Sequence, residues 1–193
     1  MLYSEVKEQI LSLGFEDSSV LTDTNYQKVF RDGINKALTF INVDFPIIGE
    51  YSLSLDGTGD DLDEIDFADI SDFDVLLNAT IKEEVGGRYQ IRPFSDFELV
   101  QDTKVFITQR TDGDVTFYYR KRPTFVTTAT TDATVMTIHY KAEQLLPLLA
   151  SYYIWNDDDP EKSAKWRNEY EDMKTLILRT TQRPIPLTFN GGF

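Results

Sequence analysis

The chain has 193 residues, 41% of them hydrophobic, with no cysteine, one histidine and a formal net charge of -14. That length supports one ordinary core, or a core plus a small appended module. The missing cysteines exclude disulfides, thiolate metal sites and cysteine nucleophiles, and a lone His139 leaves little for a Ser-His-Asp arrangement or a histidine metal site.

No run of about 18 apolar residues predicts a membrane span. The acids and polar residues of the N-terminal stretch are unlike a signal peptide, so a cytosolic origin is expected. Leu2, Val6, Ile10 and Leu13 recur at helical spacing, and Gly14 follows where a left-handed stop belongs, which predicts a short first helix. After a polar stretch, Tyr26, Val29, Phe30, Ala37, Leu38 and Ile41 repeat the pattern. They predict a second helix, with Thr24 as its cap and Pro46 just past its end. Gly33 inside it costs about 1 kcal/mol relative to Ala unless a neighbour packs against it.

From Pro46 the period changes to two. Tyr51, Leu53 and Leu55 alternate with Ser52, Ser54 and Asp56, as in a strand with one wet face. Between Lys36 and Lys82 there is no Lys or Arg, and the eleven acids from Asp44 to Asp74 give that segment a charge of -11. A protein so charged is repelled by phosphate, so sequence-specific DNA reading is not expected. An acidic or neutral wall nevertheless suits a conduit along which a polyanion slides. Residues 56–66 read as an exposed acidic loop loosened by Gly57 and Gly59. Further strands are predicted over residues 89–92, 97–100, 105–108 and 115–120, with a hairpin turn at residues 111–114. Val115, Phe117 and Tyr119 share one face of the last strand. Thr116, Tyr118 and Arg120 share the other, and aromatic residues on both predict cover on both sides. Pro123 ends the pairing, and the threonine-rich residues 124–137 read as extended or loop.

The helical period returns near Ala142. Leu145, Leu148, Leu149, Tyr152 and Trp155 form a wide apolar stripe, with Pro147 tolerated in the first turn. Asp159 as cap and Pro160 as first helical residue start the next helix, which carries Trp166, Tyr170, Met173 and Ile177 on one side. The short connection predicts an antiparallel helical hairpin. The fold class is therefore α+β. Terminal helix pairs (residues 1–45 and 141–183) form one helical bundle, residues 46–140 form an inserted antiparallel β-sheet module, and residues 184–193 form an extended C-terminal arm.

The sites are weighed by their chemistry. Asp56, Asp60, Asp61, Asp63, Glu64 and Asp66 resemble a calcium set in composition but lack the alternation of a twelve-residue loop, so a solvated acidic loop is favoured over ion binding. Asp112-Gly113-Asp114 reads as a turn, and His139 as a surface or helix-start residue. Gly86-Gly87 has no downstream Lys-Ser or Lys-Thr and cradles no phosphate. No carboxylate pair can be named as acid and base, and no cofactor, metal or catalytic residue is expected. Arg120, Lys121 and Arg122 are the one concentrated positive spot: either a solvated strand end or a contact for an acidic surface, such as the acidic loop of a neighbouring copy. In the tail, Pro184 and Pro186 forbid a helix, yet Ile185, Leu187, Phe189 and Phe193 are too apolar for a solvated end. This fits an extended segment adding to a sheet or groove of its own body or of a partner.

Residues 145–158, followed by Glu161-Lys162-Ser163-Ala164 and Asn168-Glu169-Tyr170-Glu171, resemble the terminal helical hairpin of tailed-bacteriophage head-tail adaptors. Phe94-Ser95-Asp96-Phe97-Glu98-Leu99, the strand at residues 113–119 and Arg120-Lys121-Arg122-Pro123 resemble the inserted sheet of some of these connector proteins. The resemblance implies a structural virion protein that is not an enzyme. It would form a homo-oligomeric ring, commonly of twelve copies, beneath the portal protein at the head-tail junction after assembly in the host cytoplasm. Such a ring extends the DNA channel, without sequence-specific binding and without a membrane, and offers a platform to the tail or a second connector. The resemblance assigns the arm of Pro184, Ile185, Pro186, Leu187, Phe189 and Phe193 to partner contact. A tail-proximal ring or tail-completion protein is the alternative within the class. A calcium-dependent binding module or a carboxylate-based hydrolase is the alternative outside it.

Overall fold

A computed structural model describes residues 1–15, 17–57, 64–108 and 111–181 of the chain. The fold is α+β, with four α-helices and antiparallel strands among the described residues. It divides into two compact units, Met1–Phe45 with Thr124–Phe193, and Pro46–Pro123.

In the first unit α1 (Tyr3–Ser12) starts where Glu5 reaches back to accept the Leu2 N–H at 2.6 Å. Asp23, rather than the expected Thr24, caps α2 (Thr24–Asp44): its carboxylate accepts the Asn25 N–H at 2.8 Å, and Thr24 is already helical. α3 (Leu145–Trp155) and α4 (Pro160–Thr181) are joined at Asp159, which accepts the Lys162 N–H at 3.0 Å with Pro160 in the first turn, as predicted. Val6 and Ile10 of α1, Phe30, Ile34, Leu38 and Ile41 of α2, Leu145, Leu146 and Leu149 of α3, and Tyr170 of α4 share one hydrophobic cluster. Gly33 lets α2 and α3 approach, because a Cβ there would lie 2.7 Å from Ile154 Cγ1. Tyr26 and Val29, expected on the buried stripe, are 37% and 39% exposed. The buried face of α2 runs instead through Phe30, Gly33, Ile34, Ala37, Leu38 and Ile41.

Residues 124–140, placed by sequence with the β module, belong to the helical unit. The Asn35 side chain accepts the Val126 N–H at 2.8 Å and donates to the Val126 C=O at 2.9 Å. Tyr3 N–H donates to Thr134 C=O at 2.9 Å, Met136 N–H to Met1 C=O at 3.0 Å, and Leu2 bridges Val135. Val126 and Met136 lie buried in the helical core. The boundary therefore falls at Pro123.

The second unit has two antiparallel sheets. β1 (Ile48–Asp56), β3 (Phe73–Val85), β4 (Arg88–Pro93) and β7 (Asp112–Lys121) form one in the order β1-β7-β3-β4. β2 (Glu64–Asp66), β5 (Phe97–Gln101) and β6 (Lys104–Ile107) form the other in the order β2-β6-β5. Phe117 is fully buried between them, 5.5 Å from the rings of both Phe67 and Phe97 and 6.4 Å from Phe94. Val115, Phe117 and Tyr119 form the buried face of β7. The cover expected over Thr116, Tyr118 and Arg120 is not a second layer; these side chains are half-buried among their neighbours on β1 and β3. The predicted hairpin at residues 111–114 is also replaced. Asp112, Gly113 and Asp114 pair with Asp56, Leu55 and Ser54 inside β7. The glycine at 113 answers a close approach, since a Cβ there would sit 2.7 Å from the Lys82 carbonyl oxygen. A glycine turn lies instead at Gly86 and Gly87 between β3 and β4, with φ of +61° and +77°.

Candidate interaction site

The β3–β4 hairpin places β4 at an edge of its sheet, with β3 as its only strand partner among the described residues. All residues of β4 are exposed, Tyr89 at 70% and Ile91 at 72%. Register pairs Tyr89 with Glu84 and Ile91 with Lys82, so these side chains share the outer sheet face. Lys82 Nζ lies 4.6 Å from the Tyr89 ring centroid. On the other face, Arg92 donates to both oxygens of Glu83 at 2.8 and 3.2 Å, which holds the Glu83 carboxyl below its usual range and raises the guanidinium. Next to Ile91 the outer face sinks into a shallow depression of about 390 Å³ lined by Ser52, Ser54, Thr80, Thr116 and Tyr118.

Two members of the basic cluster are paired within the unit. Arg120 Nε contacts Asp74 at 2.7 Å and Lys121 Nζ contacts Asp72 at 2.9 Å. The Lys121 hydrogen bond, helped by that of Tyr119 at 3.1 Å, lowers the pKa of Asp72, and Asp72 raises that of Lys121. Burial, then Asp72, raises the Tyr119 phenol. The Arg122 backbone N–H donates to the Asp72 carbonyl at 2.6 Å, and its side chain is exposed. The acids at the start of β3 thus meet this cluster inside one chain, an arrangement the sequence reading did not anticipate.

Of the acidic loop, Asp56 ends β1, and Glu64 and Asp66 are the first and last residues of β2, where both reach Lys104 Nζ, at 2.6 and 3.5 Å. A lysine therefore already occupies the space between those two carboxylates. Asp60, Asp61 and Asp63 lie outside the described residues, as do Pro184, Ile185, Pro186, Leu187, Phe189 and Phe193. Among the described residues no group of three or more His, Asp or Glu is placed to hold a metal. Among the described residues, the carboxylates with displaced pKa values, Asp17, Asp66, Asp72 and Glu83, are lowered, chiefly by the hydrogen bonds they accept. His139 Nδ1 accepts the Lys141 N–H at 3.2 Å at the start of a single 3-10 turn.

In the helical unit two surfaces stand out. Phe40 and Val43 are 56% and 59% exposed on α2, with Phe40 stacked on Tyr153 of α3 at 5.9 Å. A polar cleft of about 550 Å³ is lined by Tyr3, Lys7, Phe30, Arg31, Thr130 and Asp132, with Lys7 and Asp132 paired at 2.5 Å. Burial raises the Tyr3 phenol there. Neither surface was foreseen from sequence, although Phe40 and Val43 extend the three-and-four spacing that begins at Tyr26 and Val29.

No protein-family model matches the chain, and no curated protein is significantly similar to it.

Proposed function

We propose that the chain is a non-enzymatic connector of a phage virion, a protein that multimerises beneath a portal and carries tail components. The observation that supports it best is the edge strand β4, which among the described residues pairs with β3 alone and exposes Tyr89 and Ile91, leaving its outer edge open to a further strand. Solitary proteins blunt such edges; assembling ones use them. The exposed Phe40–Tyr153 stack and Val43 add an apolar patch suited to burial between subunits. The resemblance of residues 145–158, 161–164 and 168–171 to adaptor hairpins supports a portal and tail components as the partners. In this reading the helices form one bundle repeated around a ring, residues 184–193 are the extended arm, and the acidic balance keeps DNA from adhering to the channel.

The test is sedimentation of the purified chain with and without assembled portal rings. Co-sedimentation at a fixed stoichiometry is expected. A monomer that never associates with portal overturns the reading.

A further inference from the structure

The β4 edge has a parity that the last residues of the chain match. Gly86 and Gly87 make a two-residue turn, and such a turn closes on a hydrogen-bonded pair, here Val85 with Arg88. Hydrogen-bonded pairs then alternate, so Gln90 and Arg92 bond to β3. The Phe94 N–H donating to the Ala79 C=O at 2.9 Å continues the same series. Tyr89, Ile91 and Pro93 therefore turn their backbone groups away from β3, toward the open edge. The donors free to receive a new strand are those of Tyr89 and Ile91, the residues whose side chains stand exposed on the outer face.

A complementary strand needs backbone donors on alternate residues and apolar side chains on those same residues, because directly opposed residues of antiparallel strands share a face. In the tail, Ile185, Leu187 and Phe189 satisfy both demands. Pro184 and Pro186 fall at the intervening positions, whose backbone groups point away from the host strand, so their missing N–H groups cost no bond. They also leave the new outer edge unable to recruit another strand. A strand with this sequence adds once and stops.

We propose that residues 184–189 of one copy add as an antiparallel strand to β4 of a second copy. In this arrangement Ile185, Leu187 and Phe189 lie in phase with Ile91 and Tyr89. The donor is placed on another chain because the reading above is multimeric, and Tyr89 and Ile91, 70% and 72% exposed, offer an accessible edge. Twelve residues follow Thr181, the last of α4, enough to reach about 40 Å when extended. Each copy gives one strand and receives one, a head-to-tail contact of the kind that builds a ring when the rotation between copies closes. The inference rests on the multimeric reading above and specifies one contact that holds the multimer together.

The absence of cysteine permits a direct test in the full chain. Ile91→Cys and Leu187→Cys are made as separate variants, mixed and oxidised; opposed residues of paired strands lie within disulfide reach. A two-chain adduct is expected on a non-reducing gel. Replacing Leu187→Cys by Thr188→Cys, which is out of phase, should reduce its yield several-fold. No adduct at the highest soluble concentration, equal trapping by both partners, or, in a third variant carrying both Ile91→Cys and Leu187→Cys, closure only within one chain overturns the proposal. Portal co-sedimentation of the same variants separates the outcomes: intact portal binding with no in-phase trap defeats the strand exchange and leaves the connector reading standing.

Discussion

Asn35→Ala measures how the threonine-rich segment is held to the helices. The Asn35 amide makes two hydrogen bonds to the backbone of Val126, a residue only 3% exposed. Truncation orphans one N–H and one C=O. Each orphaned buried group costs about 1–3 kcal/mol, and the half-buried position of residue 35 admits some water, so the loss should be about 2–4 kcal/mol. Trp155 and Trp166 are the chain's two tryptophans and both lie in the helical unit, so their fluorescence reports that unit alone. In a urea titration the tryptophan midpoint should fall by about 1–2 M. Asn35→Asp adds a sign. Its carboxylate can still accept the Val126 N–H but faces the Val126 carbonyl, which raises its folded pKa above its unfolded value of about 3.9. The neutral acid donates as the amide did, so stability is present below the unfolded pKa and is lost as pH rises through the folded one. An Asn35→Ala tryptophan transition at the wild-type midpoint, or an Asn35→Asp variant more stable at neutral than at acid pH, would refute the reasoning.

Phe117→Ala should cost the β unit about 3–5 kcal/mol, because it empties the space shared by Phe67, Phe94 and Phe97. Near-ultraviolet circular dichroism should show the sheet melting early, with the tryptophan transition unmoved. Gly33→Leu should destabilise the helical unit by about 1–3 kcal/mol by overpacking against Ile154, read from the same tryptophan signal. Asp72 has a lowered pKa from the Lys121 hydrogen bond, so its contribution is present above the unfolded carboxylate pKa and lost as pH falls through the depressed folded value. Both side chains are at least a third exposed, so Asp72→Asn should cost less than about 1 kcal/mol at neutral pH. It should also flatten the acid limb of the β unit's melting profile.

The α3–α4 hairpin was legible in sequence because its signals are local: an aspartate cap, a proline and two apolar stripes. β3 was not, although it is the longest strand. Bulges between Phe73 and Val75 and between Leu76 and Asn78 break its two-residue period, so Phe73 is buried while Val75 and Leu77 are exposed. β2 has three residues, too few for any period to show. Gly113 gave a turn signal for a position that needs glycine because β3 passes close by. The attachment of residues 124–140 is made by contacts remote in sequence, among them the side chain of Asn35, 91 positions away from Val126, and the backbone of Met1 and Tyr3. The candidate edge escaped notice for the same reason: Tyr89 and Ile91 alternate like any strand, and only sheet order makes β4 an outermost one.

The chain leaves the β unit beside the point at which it arrived. Lys121 N–H donates to Ile47 C=O at 2.8 Å, and Ile48 pairs with Arg120. Two strands that start and finish side by side make the module a detachable cassette. Evolution could lengthen, exchange or discard it by splicing at a single gap. An engineer could likewise bridge Phe45 to Thr124 with a short loop and ask what the scaffold does unaccompanied.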